Sequence, residues 1–461
     1  MNGENVLANF IVHVKSTVLC ISTACSKSVA FGALGAFAAL SYQSTACGQD
    51  VFNSKDPEWG LRAVHAFEAW NLFSSRNLVP GAGTTIALLD NGLLPHPKIA
   101  PNGKFLPNVL FERGFDFENH HPEPYDLLIP TFGFGTPTPG HGTALAGLLI
   151  SPHGRAPGVH GDGQTSGVAP GASLIPYRVT QVPVILNVEP VIEAINRAIE
   201  EDVDIIHMSF GTLPHQRLYD VVHHALKRGI ILVASGGQVN PIVPSPADIP
   251  GVIAVTGVQP DFSIVPNNAT GSAISIAAPG KDILYPASSR NQDGEMDYSY
   301  YPGTGTSFAS PFVSGAASLW LSWHGGRQKL IEKYGRENVP KLFQHMLLKY
   351  GYDRPLPWNY SHYGVGVINI EKLLKAPLPA IMPTYIGGYR SKPSEIVGMG
   401  YQGWFKNLGV PAAALFCYRM RYSPTAPREL GQAAFSMGYI PETPDNVYIE
   451  DLKKQSEFFC H

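Results

Sequence analysis

Apolar residues occur in short unbroken runs along the middle of the chain, separated by stretches with helical spacing. The runs predict β-strands buried on both faces, at residues 86–89, 174–179, 205–208, 230–233 and 252–258. Residues 191–199 carry an apolar stripe with the helical period of about 3.6 residues. Because strands alternate with helices, we expect an α/β fold with a doubly wound, mostly parallel central sheet flanked by helices. Residues 241–250 and 290–302 are predicted surface loops.

The composition excludes several function classes. With 461 residues, 44% of them hydrophobic, the chain can bury a large core. Its net charge is −3 and it has no basic patch of the kind that nucleic acid requires. No P-loop and no His-Glu-x-x-His signature occur, and residues 133–135 lack the third glycine of a dinucleotide fingerprint. We therefore expect no cofactor. No motif indicates a structural calcium ion, but such an ion stays an open alternative.

Three segments carry residues suited to nucleophilic catalysis, in the order Asp, His, Ser. Asp90 ends an apolar run, His141 opens a stretch of small residues at 140–147, and Ser307 follows a glycine-rich turn within 303–311. A serine hydroxyl is a weak nucleophile near neutral pH, so it needs an adjacent base. An imidazole that serves as this base needs a carboxylate to fix its tautomer. Singly, each residue is also compatible with an ordinary turn or helix cap, but the three together favour catalysis.

The three segments resemble the catalytic motifs of subtilisin-like serine proteases (subtilases, peptidase S8 family). The resemblance runs from about residue 56 to 374 and includes further segments at 59–61, 114–117, 167–172, 245–247, 252–255 and 363–369. It implies a serine endopeptidase that hydrolyses peptide bonds of protein or peptide substrates through an acyl-enzyme. Ser307 would be the nucleophile, His141 its general base and Asp90 the group that orients His141.

One position departs from the family pattern. Subtilases usually donate to the oxyanion from an asparagine in a run of the form Ala-Ala-Ala-Gly-Asn, and here residues 234–238 read Ala-Ser-Gly-Gly-Gln. Gln238 would therefore be the oxyanion donor, with Asn240 as the alternative if the loop is shifted. Because Gln238 is a substitution, a catalytically weakened binding or scaffold protein on the same fold is the alternative function.

The resemblance also assigns the walls of the main specificity pocket. One wall would be Ser209, Phe210 and Gly211, and the other Ser235, Gly236 and Gly237. The glycines are expected to leave backbone N–H and C=O groups exposed for an extended peptide. Walls made of backbone rather than charge favour broad or apolar specificity. For His207, on the preceding strand, we prefer a hydrogen-bonded core histidine over a functional role.

The chain is predicted to have three parts. Residues 1–47 combine Lys27, a short apolar run and small residues before Cys47, which is typical of an export signal. Ordinary cleavage, a lipid anchor at Cys47 and an uncleaved anchor in contact with a membrane all stay open. Residues 48–375 would be the peptidase domain and 376–461 a small C-terminal extension. Cleavage before Cys47 would leave Cys417 and Cys460 as the only free pair of cysteines, and this pair predicts a disulfide; unpaired thiols are the alternative.

Overall fold

The computed structural model describes residues 52–53, 55–128, 138–154, 159, 165–238, 242–291, 293–355 and 358–382. Its strands are β1 Thr85–Asp90, β2 Phe115–Asp116, β3 Ser173–Arg178, β4 Val184–Ile185, β5 Ile205–Met208, β6 Gly211–Thr212, β7 Ile231–Ser235, β8 Ile253–Val258, β9 Ile274–Pro279, β10 Ile283–Arg290, β11 Met296–Gly303, β12 Tyr352–Asp353 and β13 Val367–Ile368. Its α-helices are α1 Trp59–Ala63, α2 Ala66–Ser75, α3 His141–Ile150, α4 Glu189–Glu200, α5 Gln216–Lys227, α6 Thr306–Trp323, α7 Arg327–Tyr334, α8 Asn338–Tyr350, α9 Tyr360–Tyr363 and α10 Ile370–Lys375.

Within the described residues, the main sheet has nine strands in the order β12-β13-β9-β8-β7-β5-β1-β3-β2. Neighbouring strands are parallel except for the pair β12 and β13. The predicted doubly wound sheet is confirmed, and each predicted strand overlaps one of β1, β3, β5, β7 and β8. The strand order reverses at β1, between β3 and β5, which is where α/β sheets place their functional groups.

The core lies on both faces of this sheet, which explains the unbroken apolar runs. Ile86 and Leu88 of β1 pack into a cluster shared with α3, α6 and α8, whereas Ala87 and Leu89 pack into a cluster shared with α4 and α5. Successive side chains of a strand point to opposite faces, so a strand covered on both sides must be apolar at every position. The helical stripe at 191–199 lies within α4 and faces the second cluster, as predicted.

The prediction that residues 290–302 form a surface loop is wrong for most of that segment. Strands β10 and β11 form an antiparallel hairpin, and its turn contains Gly294. Tyr298 and Tyr300 on β11 contact the ring of His96, each with ring centroids 5.7 Å apart. The hairpin is half-buried with polar residues at many positions, so it lacks the apolar run that identifies the central strands.

Several predictions concern residues outside the described ranges. These are the export segment 1–47, most of the C-terminal extension, all five cysteines and Asn240. The domain boundaries, the lipid anchor and the disulfide therefore stay predictions. Among the described residues, no helix is both long enough and apolar enough to cross a membrane.

A buried ion pair fastens the edge strand β2 to β3. Arg178 is fully buried, and its Nη1 donates to both carboxylate oxygens of Asp116, at 2.8 and 2.7 Å. The same carboxylate accepts the backbone N–H groups of Glu118 and Asn119 at 3.0 Å. Charges inside a protein are tolerated when they are paired in this way, and removal of one partner leaves the other without compensation.

We expect Arg178→Met to lower the free energy of unfolding by about 3–5 kcal/mol, because it leaves the buried Asp116 carboxylate without its cation. Urea denaturation measures the change. Arg62→Met is the matched control, since Arg62 pairs with Asp56 at the surface, and exposed pairs contribute about 0–1 kcal/mol. Equal losses in the two variants would show that the buried pair has no special role.

Candidate active site

The carboxyl ends of the central parallel strands bring the predicted site residues to one edge of the sheet. Asp90 is the last residue of β1, Ser209 follows β5 directly and Ser235 is the last residue of β7. Strand β5 pairs with both β1 and β7. Residues far apart in the sequence therefore meet on three adjacent strands.

Asp90 and His141 are in direct contact. The Oδ1 atom of Asp90 accepts a hydrogen bond from Nδ1 of His141 at 2.8 Å and another from the backbone N–H of Asn91 at 2.9 Å. The His141 side chain is 12% exposed and that of Asp90 5%. A carboxylate bound to Nδ1 fixes the tautomer that leaves Nε2 unprotonated and able to accept a proton.

The start of α3 is held against the turn after β1 by Asn91. Its Oδ1 accepts the N–H of Gly142 at 2.8 Å, and its Nδ2 donates to the carbonyl of Thr138 at 2.6 Å. A β-carbon on Gly142 would collide with the carbonyl oxygen of Gly92. Glycine at position 142 is therefore what allows His141 to approach Asp90 this closely.

Asp126 is a further residue at this site, which the sequence analysis missed. Its Oδ2 accepts the N–H of Gly140 at 2.5 Å and its Oδ1 that of Leu128 at 2.8 Å. Burial lowers the pKa of His141, but the carboxylates of Asp90 and Asp126 outweigh it, so that this pKa is raised. Asp126 lies in a loop without any motif, so no sequence pattern points to it.

Ser307 is the second residue of α6, the helix that crosses the face of the sheet. Its hydroxyl donates to the carbonyl oxygen of Ser209 at 3.3 Å, and no hydrogen bond joins it to His141 among the described residues. The ring of the next residue, Phe308, is in edge contact with the imidazole of His141, with centroids 6.0 Å apart. The imidazole thus lies beside the N-terminus of α6, although Ser307 points toward β5.

Gln238 lies three residues after β7, at the same helix terminus. Its Oε1 accepts the N–H of Thr306 at 3.1 Å. A β-carbon on Gly305, whose φ is +147°, would collide with this carboxamide. Because the oxygen is used as an acceptor, the Nε2 hydrogens are the donors that the side chain retains.

His207 is a core histidine, as predicted. It is fully buried, with Nδ1 2.8 Å from Oγ of Ser314 and Nε2 3.0 Å from Oγ of Ser209. Burial lowers its pKa to about 3. The chain of contacts continues from Ser209 to Oγ of Ser310 at 2.8 Å, and both hydroxyls lie near the carbonyl of Ser307, at 3.4 and 3.3 Å.

The two predicted pocket walls follow β5 and β7, but their N–H groups are already bonded. Gly211 donates to the carbonyl of Pro183 at 2.9 Å and Gly236 to that of Val255 at 2.7 Å. Gly237 donates to Oγ1 of Thr306 at 3.2 Å. The expectation of exposed N–H groups is wrong for these glycines, because Pro183, Val255 and Thr306 supply acceptors. A peptide that pairs with the N–H of Gly211 has to displace Pro183.

The described residues contain no group of three or more His, Cys, Asp or Glu side chains that could hold a metal ion. Asp90, His141, Ser307 and the donors around the start of α6 lie at this edge of the sheet.

Comparison with known proteins finds two serine proteases that are similar in sequence and one protein that is similar in structure. Thermitase from Thermoactinomyces vulgaris is 28% identical over 270 residues, which are 58% of this chain and 82% of thermitase. Serine protease AprX from Bacillus subtilis is 27% identical over 346 residues, 67% of this chain and 70% of AprX. Fervidolysin from Fervidobacterium pennivorans has the same fold, with a TM-score of 0.52 at 20% identity over 74% of this chain and 48% of fervidolysin.

The family model of the subtilases matches residues 81–349, which is more than half of the chain and runs from before β1 into the last turn of α8. The matched region contains the sheet edge with Asp90, His141 and Ser307. The chain belongs to the subtilase family and is a serine-type endopeptidase.

Proposed function

We propose that the chain hydrolyses peptide bonds through an acyl-enzyme on Ser307, with His141 as general base and Asp90 as the group that orients it. The hydrogen bond between Asp90 and Nδ1 of His141 carries this proposal. The proposed mechanism requires a rotation about the Cα–Cβ bond of Ser307 that takes its hydroxyl from the Ser209 carbonyl to the imidazole. Catalytic hydrogen bonds are often incomplete without substrate and form in the substrate complex.

The reaction has two halves. Nε2 of His141 takes the hydroxyl proton as Oγ of Ser307 bonds to the substrate carbonyl carbon, and it then protonates the departing amine. A water molecule next gives its proton to Nε2, its oxygen attacks the acyl carbon, and the proton returns to Ser307. The substrate is a protein or peptide that lies along the edge formed by Ser209, Phe210 and Gly211 and by Ser235, Gly236 and Gly237.

Gln238 is the proposed side-chain donor to the oxyanion. It lies at the N-terminus of α6, where unpaired N–H groups and the helix dipole favour negative charge. The bond from Thr306 to Oε1 holds the carboxamide in place, so that its Nε2 hydrogens can be directed at developing charge. A donor already held in place stabilises the transition state without reorganisation.

A weakened binding or scaffold protein is the second candidate function. The observation that favours it is the Ser307 hydroxyl, which is bonded to Ser209 rather than to His141. A fluorophosphonate probe separates the two functions, because it couples to an activated serine and leaves an unactivated one unmodified.

Export is also part of the proposal. It is supported by the signal-like segment 1–47, and a lipid anchor at Cys47 would hold the enzyme at a membrane. Mass analysis of the N-terminus of the mature protein distinguishes cleavage, lipidation and retention.

Ser307→Ala should lower turnover by about 10⁶-fold, the scale seen when a nucleophile of this kind is removed. Turnover of a peptide anilide measures the loss. Ser322→Ala is the matched control, since Ser322 lies on the same helix and bonds to Ala82. Substantial activity in Ser307→Ala would contradict the assignment of the nucleophile.

Gln238→Ala should reduce turnover by about 10²–10³-fold at nearly constant KM, because the lost donor acts in the transition state. Gln238→Asn should retain part of the rate, since it keeps the carboxamide. If Gln238→Ala leaves turnover unchanged and Asn240→Ala lowers it strongly, Asn240 is the donor to the oxyanion instead.

Asp126→Asn should move the acid limb of the pH profile of kcat/KM to lower pH. Catalysis needs neutral His141, and the Asp126 carboxylate raises the pKa of this imidazole. The variant removes that charge and keeps an oxygen for the N–H of Gly140, so His141 should lose its proton at lower pH. Asp220→Asn, at an exposed position on α5, should leave the limb in place. An unchanged limb in Asp126→Asn would exclude this electrostatic role.

A further inference from the structure

Pro244 lies between the two walls of the predicted specificity pocket. A β-carbon placed on Gly211 would lie 2.8 Å from Cγ of Pro244, and one placed on Gly237 would lie 2.6 Å from its Cδ. The proline ring therefore contacts the last residue of both walls at once. Neither wall can carry a side chain at these positions, because the ring already fills the space between them.

The segment around Pro244 is fastened to the walls, so the ring has little freedom to withdraw. The carbonyl of Ser245 accepts the N–H of Thr212 at 2.7 Å, and that of Pro244 accepts the N–H of Asp248 at 3.1 Å. Oγ of Ser245 donates to the carboxylate of Asp248 at 2.6 Å. A ring mounted on a turn bonded in this way acts as a fixed steric element.

None of the six residues of the two predicted walls has a charged side chain. Phe210 is 2% exposed and packs in the core cluster on the α4 and α5 face together with Val243. The hydroxyl of Ser209 is bonded to His207 and Ser310. A substrate side chain therefore meets backbone and the ring of Pro244, with no ionic partner among these groups.

We propose that Pro244 is a specificity-determining residue that restricts the enzyme to peptides with glycine or alanine at the residue that contributes the scissile carbonyl. The proposal rests on the proposed function. A side chain that extends beyond its β-carbon collides with the ring, which narrows the broad or apolar specificity expected from the walls alone. Overfilling a packed site is unfavourable, and each methylene that a pocket rejects changes kcat/KM by about 10–200-fold.

The test compares two peptide anilides that differ only in alanine or phenylalanine at the residue before the scissile bond. With the full-length protein, the wild type should favour alanine by about 100-fold or more in kcat/KM. Pro244→Gly should raise the ratio of phenylalanine to alanine turnover by at least about tenfold, and Pro244→Ala should lie between the two. Pro260→Gly, which changes another half-buried loop proline outside the walls, should keep the wild-type ratio.

Two further measurements separate this proposal from the assignment of the catalytic residues. Titration with a fluorophosphonate counts the active sites whose serine is reactive. If the wild type does not react, the proposed role of Ser307 is contradicted, whereas the proposed role of Pro244 is not. Binding of the same two peptides to Ser307→Ala tests the pocket without chemistry and should again favour alanine. The proposal is overturned if the wild type accepts phenylalanine as well as alanine. An unchanged ratio in a folded Pro244→Gly variant would overturn it equally.

Discussion

A chain of buried hydrogen bonds holds α6 against β5, and the position of Ser307 depends on it. The chain runs from Ser314 through His207 to Ser209 and Ser310, and it ends at the carbonyl of Ser307. His207 and Ser209 are two residues apart and so face the same side of the sheet, toward α6. Any slide of the helix would leave buried polar groups unpaired, at about 1–3 kcal/mol each. The network therefore sets the register of α6 as well as its packing.

A second constraint brings α3 to the same edge of the sheet. Gly142 permits the contact, Asn91 fixes it through two hydrogen bonds, and Asp126 holds the residue before His141. The two helices that carry the predicted base and nucleophile thus begin at one place, although each is fastened by different residues. This explains why small residues are needed at both helix starts: each start is pressed against a neighbouring backbone or side chain.

The sequence predicted the parts of the molecule that depend on local pattern. The strands β1, β5 and β7 are covered on both faces, so each is a continuous apolar run. The hairpin of β10 and β11 was missed because it is half-exposed and polar residues interrupt its pattern. Asp126 and Pro244 were missed for another reason. Asp126 contacts Gly140 and Pro244 contacts Gly211, and both partners are distant in the sequence. A single acidic residue or proline in a loop also carries no periodicity.

The two histidines near Asp90 show that the environment, rather than the residue type, decides whether the pKa of an imidazole is raised or lowered. His141 contacts one carboxylate and lies near a second, and its pKa is raised despite burial. His207 is bonded to hydroxyls, and burial lowers its pKa to about 3. Near neutral pH His207 is therefore uncharged and does not compete with His141 for Asp90. A protonated His207 would repel the imidazolium that the proposed mechanism forms on His141. Because His207 stays neutral, it fixes α6 without opposing the positive charge on His141. The same buried edge of the sheet can therefore hold one structural histidine and one histidine with a raised pKa.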